Sequence, residues 1–210
     1  MSLKPSEKRA KAKGDAGEKA ISRHLQAFFS NGRIFENVLF ASKQFSAQID
    51  HLVVSEKAVY VIESKNLRGL IFGSAEQREW VTVSGNRTKR FYNPLWQNER
   101  HRQIIQDLLW RVAPSYPVIS VVVFSNCASF CLPQTLLERE PILMLTQLEP
   151  FLEAQEHALL SQKTADFQTV CNAIKKSKTM LTSESFSQHI EFAKRAKKNN
   201  RKRHVPHSRS

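Results

Sequence analysis

An α/β fold is expected here: a sheet covered on both faces by helices and followed by a helical extension. Three observations predict it. The run PVISVVVFS, Pro117 to Ser125, is a nearly continuous apolar stretch, the pattern of a strand buried on both faces. Apolar residues at three-and-four spacing recur near the start of the chain and again after Asn93-Pro94, which predicts covering helices. Between them, short segments of branched residues alternate with turn residues, as in hairpins. At 210 residues the chain is long enough for one substantial core with an appended segment.

Taken in order, residues 1–13 are polar and basic and read as a mobile tail. The first helix is expected from a cap at Asp15 to Phe28 or Phe29, with Asn31-Gly32 as its stop. Glu18, Ile21, Leu25 and Phe28 share one stripe, so Glu18 begins the face that the apolar residues bury. It either complements the helix dipole or serves a site. Gly32 to Phe40 offers a strand, followed by a polar break at Ala41 to Lys43.

The stretch QFSAQIDHLVVSEKAVYVIESK, Gln44 to Lys65, carries the most information. With Glu56 and Lys57 as a two-residue turn, Val54 falls opposite Val59, Asp50 opposite Glu63 and Gln48 opposite Lys65. Opposed Cβ atoms lie about 5 Å apart, and two carboxylates that close repel unless a cation bridges them or one holds a proton. Lys65, two residues beyond Glu63, returns to the same face.

Beyond Lys65, two glycines bracket an apolar patch in NLRGLIFGS. A hairpin follows: Trp80, Val81 and Val83 on one strand, a turn at Ser84-Gly85-Asn86, and a return strand from Thr88 to Tyr92. Arg87, Lys89 and Arg90 line its exposed end. Trp80, Phe91 and Tyr92 beside them either fill the core or face nucleic acid. Asn93-Pro94 starts a helix expected to continue until just before Pro114. Gln97, His101, Ile104 or Ile105, and Leu108 share its inward face, polar at the N-terminal end. His101 is either a satisfied core histidine or, with Gln97, part of a site. Ile142 to Leu145 is a further short strand. Helices are then expected at 147–160, 164–176 and 183–197, with long polar faces that predict light packing on the sheet. The domain reading is a tail at 1–13, a core at 14–145, a helical extension at 146–197 and a basic tail at 198–210.

Thirty-two Lys and Arg against 19 Asp and Glu leave a formal charge of +13, which favours polyanionic partners, chiefly nucleic acid. The basic run Lys194, Arg195, Lys197, Lys198, Arg201, Lys202 and Arg203 adds candidate phosphate contacts to those of the hairpin. Three cysteines form no even disulfide framework, and Cys127 and Cys131 lack a second pair at zinc-site spacing. The expected setting is the reducing cytoplasm. No apolar run approaches the roughly 18 residues of a membrane helix, so no membrane partner is expected.

These residues suit one chemistry in particular. Asp50 and Glu63 can hold Mg²⁺ or Mn²⁺ through oxygen, with the Ser64 carbonyl as a further ligand. Lys65 can orient water or attract the charge that develops on a phosphate. Glu18 can close the constellation from the first helix, with Gln97 and His101 entering from the later one.

The motifs G-D-A-G-E around Glu18, Q-I-D-H-L-V-V at Gln48 to Val54, V-I-E-S-K-N at Val61 to Asn66, Trp80, and N-P-L-W-Q-N-E-R-H at Asn93 to His101 together resemble the nuclease-related domain family. The resemblance covers about Gly14 to Asn126. It implies a restriction-endonuclease-like fold of the PD-(D/E)xK superfamily, a mixed central sheet flanked by helices. The family's helix glutamate matches Glu18, its strand acids Asp50 and Glu63, its lysine Lys65 and its later glutamine Gln97, with His101 one turn beyond. The superfamily's proline before the first acid is replaced by Ile49. The implied function is metal-dependent phosphodiester hydrolysis of nucleic acid, DNA ahead of RNA, in DNA processing or repair, with a homodimer as one possible assembly. A non-catalytic nucleic-acid-binding module and a protein-interaction scaffold are the alternatives.

Overall fold

The computed structural model describes residues 5–41, 46–159 and 166–177. Helix α1 (Pro5–Phe28) leads into strands β1 (Arg33–Ala41), β2 (Ser46–Val54), β3 (Val59–Lys65) and β4 (Gly69–Phe72). The hairpin strands β5 (Glu79–Ser84) and β6 (Arg87–Tyr92) precede α2 (Pro94–Leu109) and β7 (Val118–Phe124). Then come β8 (Cys127–Cys131), α3 (Gln134–Arg139), β9 (Ile142–Met144), α4 (Leu148–Ala158) and α5 (Phe167–Ser177).

A five-stranded mixed sheet runs in the order β1-β2-β3-β7-β9, and a second, four-stranded sheet in the order β6-β5-β4-β8. The first is the expected central sheet, with β7 inside it and parallel to β3. Helices cover both its faces. On one, Ile21 and Leu25 of α1 and Leu148 and Leu152 of α4 pack against Val53, Tyr60, Ile62 and Val123. On the other, Ile105 and Leu109 of α2 and Val170, Cys171 and Ile174 of α5 pack against Leu52, Val54, Val59 and Val61. The architecture is consistent with a restriction-endonuclease-like fold.

Several expectations need correction. Helix α1 starts at Pro5 rather than Asp15, because the Lys- and Ala-rich stretch ahead of Gly14 consists of good helix formers with Pro placed at a helix start. It takes in much of the segment read as a mobile tail. Helix α2 begins as expected, with the Asn93 side chain accepting from the Leu95 N–H at 2.9 Å, but ends at Leu109. Pro114 disfavours helical geometry at Ala113, and the chain turns there so that Ala113 and Tyr116 enter the core. The light packing expected of the later helices is not seen for α4 and α5. Their polar faces are long, yet a narrow apolar stripe on each is fully buried. The helix expected at 183–197 lies outside the described residues, as does the basic run from Lys194 to Arg203.

The second sheet packs on the end of the first through Ile71, Trp80, Val122, Phe124 and Leu136. Asn98, fully buried, donates to the carbonyls of Val61 at 2.9 Å and Val121 at 3.0 Å and to Ser120 Oγ at 2.8 Å. This one side chain fastens α2 across β3 and β7, and so sets where its neighbour Gln97 stands.

Candidate active site

The site gathers at the C-terminal end of β3. Period-two alternation puts Glu63 and Lys65 on the face of Val59 and Val61, which α2 covers. Glu63 is 1% exposed. Lys65 Nζ donates to Glu63 Oε1 and, at 3.2 Å, to Gln97 Oε1. His101 Nδ1 stands 3.6 Å from Glu63 Oε2, an oxygen that accepts no hydrogen bond. Glu63, Lys65, Gln97 and His101 are thus brought together. Burial pushes the Glu63 carboxyl up to about 7; attraction to Lys65 opposes the rise, and repulsion from Asp50 and Glu18 adds to it.

Asp50 arrives differently from the expected register. The β2–β3 ladder runs from Val54 opposite Val59 to His51 opposite Ile62 and ends there. Asp50 is therefore not a ladder partner of Glu63. Its Oδ2 instead accepts from the Ser64 N–H at 2.9 Å and from Ser64 Oγ at 2.8 Å. Two opposed carboxylates repel, and parting the strands one step earlier lets Asp50 exchange a like charge for two donors. Gln48 likewise does not face Lys65: it lies opposite Leu39 on β1 and donates to Asn37 Oδ1 at 3.0 Å.

Glu18 reaches the same end of the sheet from α1. Its Oε2 accepts from Asn37 Nδ2 at 3.2 Å, so the chain Gln48 to Asn37 to Glu18 holds the carboxylate in place. Asn37 has a φ of 51°, left-handed backbone within a strand, which Asn tolerates better than most residues. Just before Glu18, a Cβ on Gly17 would lie 2.7 Å from both Asn66 Cβ and Ser125 Oγ. Only a glycine lets α1 approach the ends of β3 and β7 this closely. Gly17→Ala is therefore expected to cost about 1–3 kcal/mol and to displace Glu18. Thermal melting and turnover should fall together, and an alanine variant with native stability would show that the helix sits farther away.

Behind Glu18, Ser22 Oγ donates to the Glu18 carbonyl at 3.1 Å and meets His51 Nε2 at 3.0 Å. Which of Ser22 and His51 donates in that contact is set by the His51 tautomer. Burial lowers the His51 pKa, although the negative charges of Asp50 and Glu36 oppose it. Asn37 and Ser22 are supports that the sequence reading did not single out, and Gly17 and His51 stood in its motifs without a role of their own. Asn37 carried a signal, since Asn is poor in strands and stands here inside an apolar one.

The remaining candidates divide. Arg87, Lys89 and Arg90 are exposed on β6, with Arg90 Nη1 4.0 Å from Glu79 Oε2. Trp80 is fully buried and Phe91 packs against it, so these two aromatics are core; Tyr92 faces solvent. Among the described residues, no group of three or more His, Cys, Asp and Glu side chains is close enough to hold a metal ion. Asp50 and Glu63 nevertheless supply hard oxygen donors, one of them Glu63 Oε2, which accepts no hydrogen bond. That fits Mg²⁺, which commonly takes one or two carboxylates and fills its other positions with water and substrate phosphate. No described helix is long and apolar enough to cross a membrane.

Comparison with known proteins places the chain in a family. An uncharacterised protein of Bacillus anthracis is 34% identical over 116 residues, covering 54% of this chain and 53% of that protein. The chain thus matches about half the length of this curated relative. No solved structure matches the chain. The nuclease-related domain (NERD) family matches residues 13–125, the segment that holds Glu18, Asp50, Glu63, Lys65, Gln97 and His101, and the chain belongs to that family.

Proposed function

We propose that this chain hydrolyses phosphodiester bonds of nucleic acid with Mg²⁺ or Mn²⁺, acting on DNA ahead of RNA in DNA processing or repair. The observation that carries the reading is Glu63, a carboxylate 1% exposed, with two further carboxylates repelling it and one oxygen without a hydrogen-bond partner. In the fold alone such a group is a net cost, and a cation beside it removes that cost. Asp50 and Glu63 are the side chains that would hold the ion, with the Ser64 carbonyl as a third donor. Once bound, it supplies charge neutralisation at the phosphate and a more acidic water.

The chain's own residues supply the rest. Gln97 accepts from Lys65 Nζ and holds the ammonium at the end of β3, where it offers a charge-assisted donor to a phosphate oxygen. His101, on the same face of α2, lies against the second oxygen of Glu63 and restricts where that carboxylate can turn. Asn37 holds the Glu18 carboxylate from β1. The catalytic unit is residues 14–145, working in the cytoplasm; a homodimer would present two sites to opposite strands.

The test is cleavage of labelled linear, nicked, flap and four-way DNA, and of RNA, in Mg²⁺, Mn²⁺ and EDTA. Metal-dependent cleavage supports the reading and ranks the substrates. Absence of cleavage, with salt-sensitive binding that persists in EDTA, would instead make this a binding module. Neither cleavage nor salt-sensitive binding would leave the scaffold reading.

A further inference from the structure

The junction of β6 and α2 carries two aromatic rings that the core does not use. Tyr92 is 47% exposed and Trp96 42%, and their rings meet edge to face with centroids 6.3 Å apart. Trp96 is held in that position, because its indole N–H donates to the Ala75 carbonyl at 2.8 Å. The same loop is tied to the helix start by Asn93 Nδ2, which donates to the carbonyls of Ala75 at 3.2 Å and Gln77 at 2.8 Å. The ring is therefore held and satisfied at its polar edge, and it remains 42% exposed. A pair that served only to brace the helix start would bury its faces.

Position gives the pair its meaning. Trp96 directly precedes Gln97, whose Oε1 accepts from Lys65 Nζ, so this ring stands on the same first turn of α2 as that candidate site residue, with Tyr92 at the end of β6 just before it. The first turn of α2 has no acidic residue, and β6, the strand that Tyr92 ends, exposes Arg87, Lys89 and Arg90 on a chain of formal charge +13; the acid opposite Tyr92, Glu79, lies 4.0 Å from Arg90 Nη1. Cations beside exposed aromatic faces are the combination that binds single strands: the cations meet the backbone, the rings meet bases, and every base has a π-face. A duplex keeps its bases stacked on one another and withholds them from such rings.

We propose that Tyr92 and Trp96 form a base-stacking platform that makes unpaired nucleic acid the substrate of this site. The proposal rests on the nuclease reading only for the word substrate; the platform itself is a matter of binding. The experiment measures affinity by fluorescence anisotropy in EDTA at fixed salt, with the full chain. Its probes are labelled oligothymidylate, oligouridylate, an abasic oligomer of the same length and a blunt duplex.

Wild type is expected to bind the base-bearing strands roughly 5- to 150-fold more tightly than the abasic one for each base stacked. Tyr92→Ala and Trp96→Ala should remove most of that difference while leaving affinity for the abasic strand unchanged, and Trp96→Phe should keep most of it. If Trp96→Ala fails to fold, Tyr92→Ala and Trp96→Phe carry the test. Equal affinity for abasic and base-bearing strands, duplex bound as tightly as the single strands, or variants that weaken all probes alike would each overturn the proposal. Base preference without cleavage in Mg²⁺ would sink the nuclease reading and leave the platform standing. Cleavage without base preference would sink the platform alone.

Discussion

Glu63→Gln is expected to abolish metal-dependent cleavage, a loss of at least about 10³-fold, and at the same time to make the metal-free protein more stable above neutral pH. The first effect follows from removing one of the two carboxylates proposed to hold the ion. The second follows from linkage. Folding raises the Glu63 pKa from 4.5 to about 7, so the folded state holds its proton more tightly than the unfolded chain. Its contribution to stability is fully present below about 4.5 and is lost as the pH rises through about 7, a change on the order of 3 kcal/mol. Glutamine keeps the shape without the charge and escapes that loss. In EDTA the variant should melt several degrees above wild type at pH 8, and the gap should close toward pH 4.5. A variant that melts lower at pH 8 would mean that the ion pair with Lys65 outweighs burial.

Lys65→Ala carries the second large effect. The ammonium touches both Glu63 and Gln97, so its loss removes the donor proposed for the phosphate and leaves Glu63 without its cation. Turnover is expected to fall roughly 10²- to 10³-fold, with a smaller change in metal affinity. Stability should fall as well, more at pH 8 than at pH 6, because at the lower pH Glu63 escapes by taking up a proton. Single-turnover rates and melting curves at the two pH values separate these effects. Unchanged single-turnover rates would remove Lys65 from the chemistry.

Much of this arrangement was legible in the residues, and the exceptions have physical causes. The hairpin register was readable because Glu56-Lys57 leaves only one way to set Val54 opposite Val59. The start of α2 was readable because Asn caps and Pro fits the first helical position. Which faces carry Lys65 and Gln97 was readable from two periodicities, two on the strand and three-to-four on the helix, but their hydrogen bond to each other was not. Register alone could not show that β2 parts from β3 before Asp50, since that depends on the donors of Ser64. Nor could it show the Asn37 contact with Glu18, which joins α1 to β1 through a left-handed residue. The second sheet was read only in part. Its β5–β6 hairpin has a turn signal and branched residues, whereas β4 has four residues and β8, CASFC, has small ones that match no strand pattern well.

The most direct test of the central claim, that Asp50 and Glu63 together hold a divalent cation, is a calorimetric titration of Mn²⁺ into wild type, Asp50→Asn and Glu63→Gln at several pH values. Wild type should bind with an affinity that falls toward tenfold for each pH unit below about 7, because the ion must displace the Glu63 proton, and proton release should accompany binding. Both variants should bind far more weakly, and Glu63→Gln should lose that pH dependence. Binding of equal strength and equal pH dependence in all three proteins would contradict the claim.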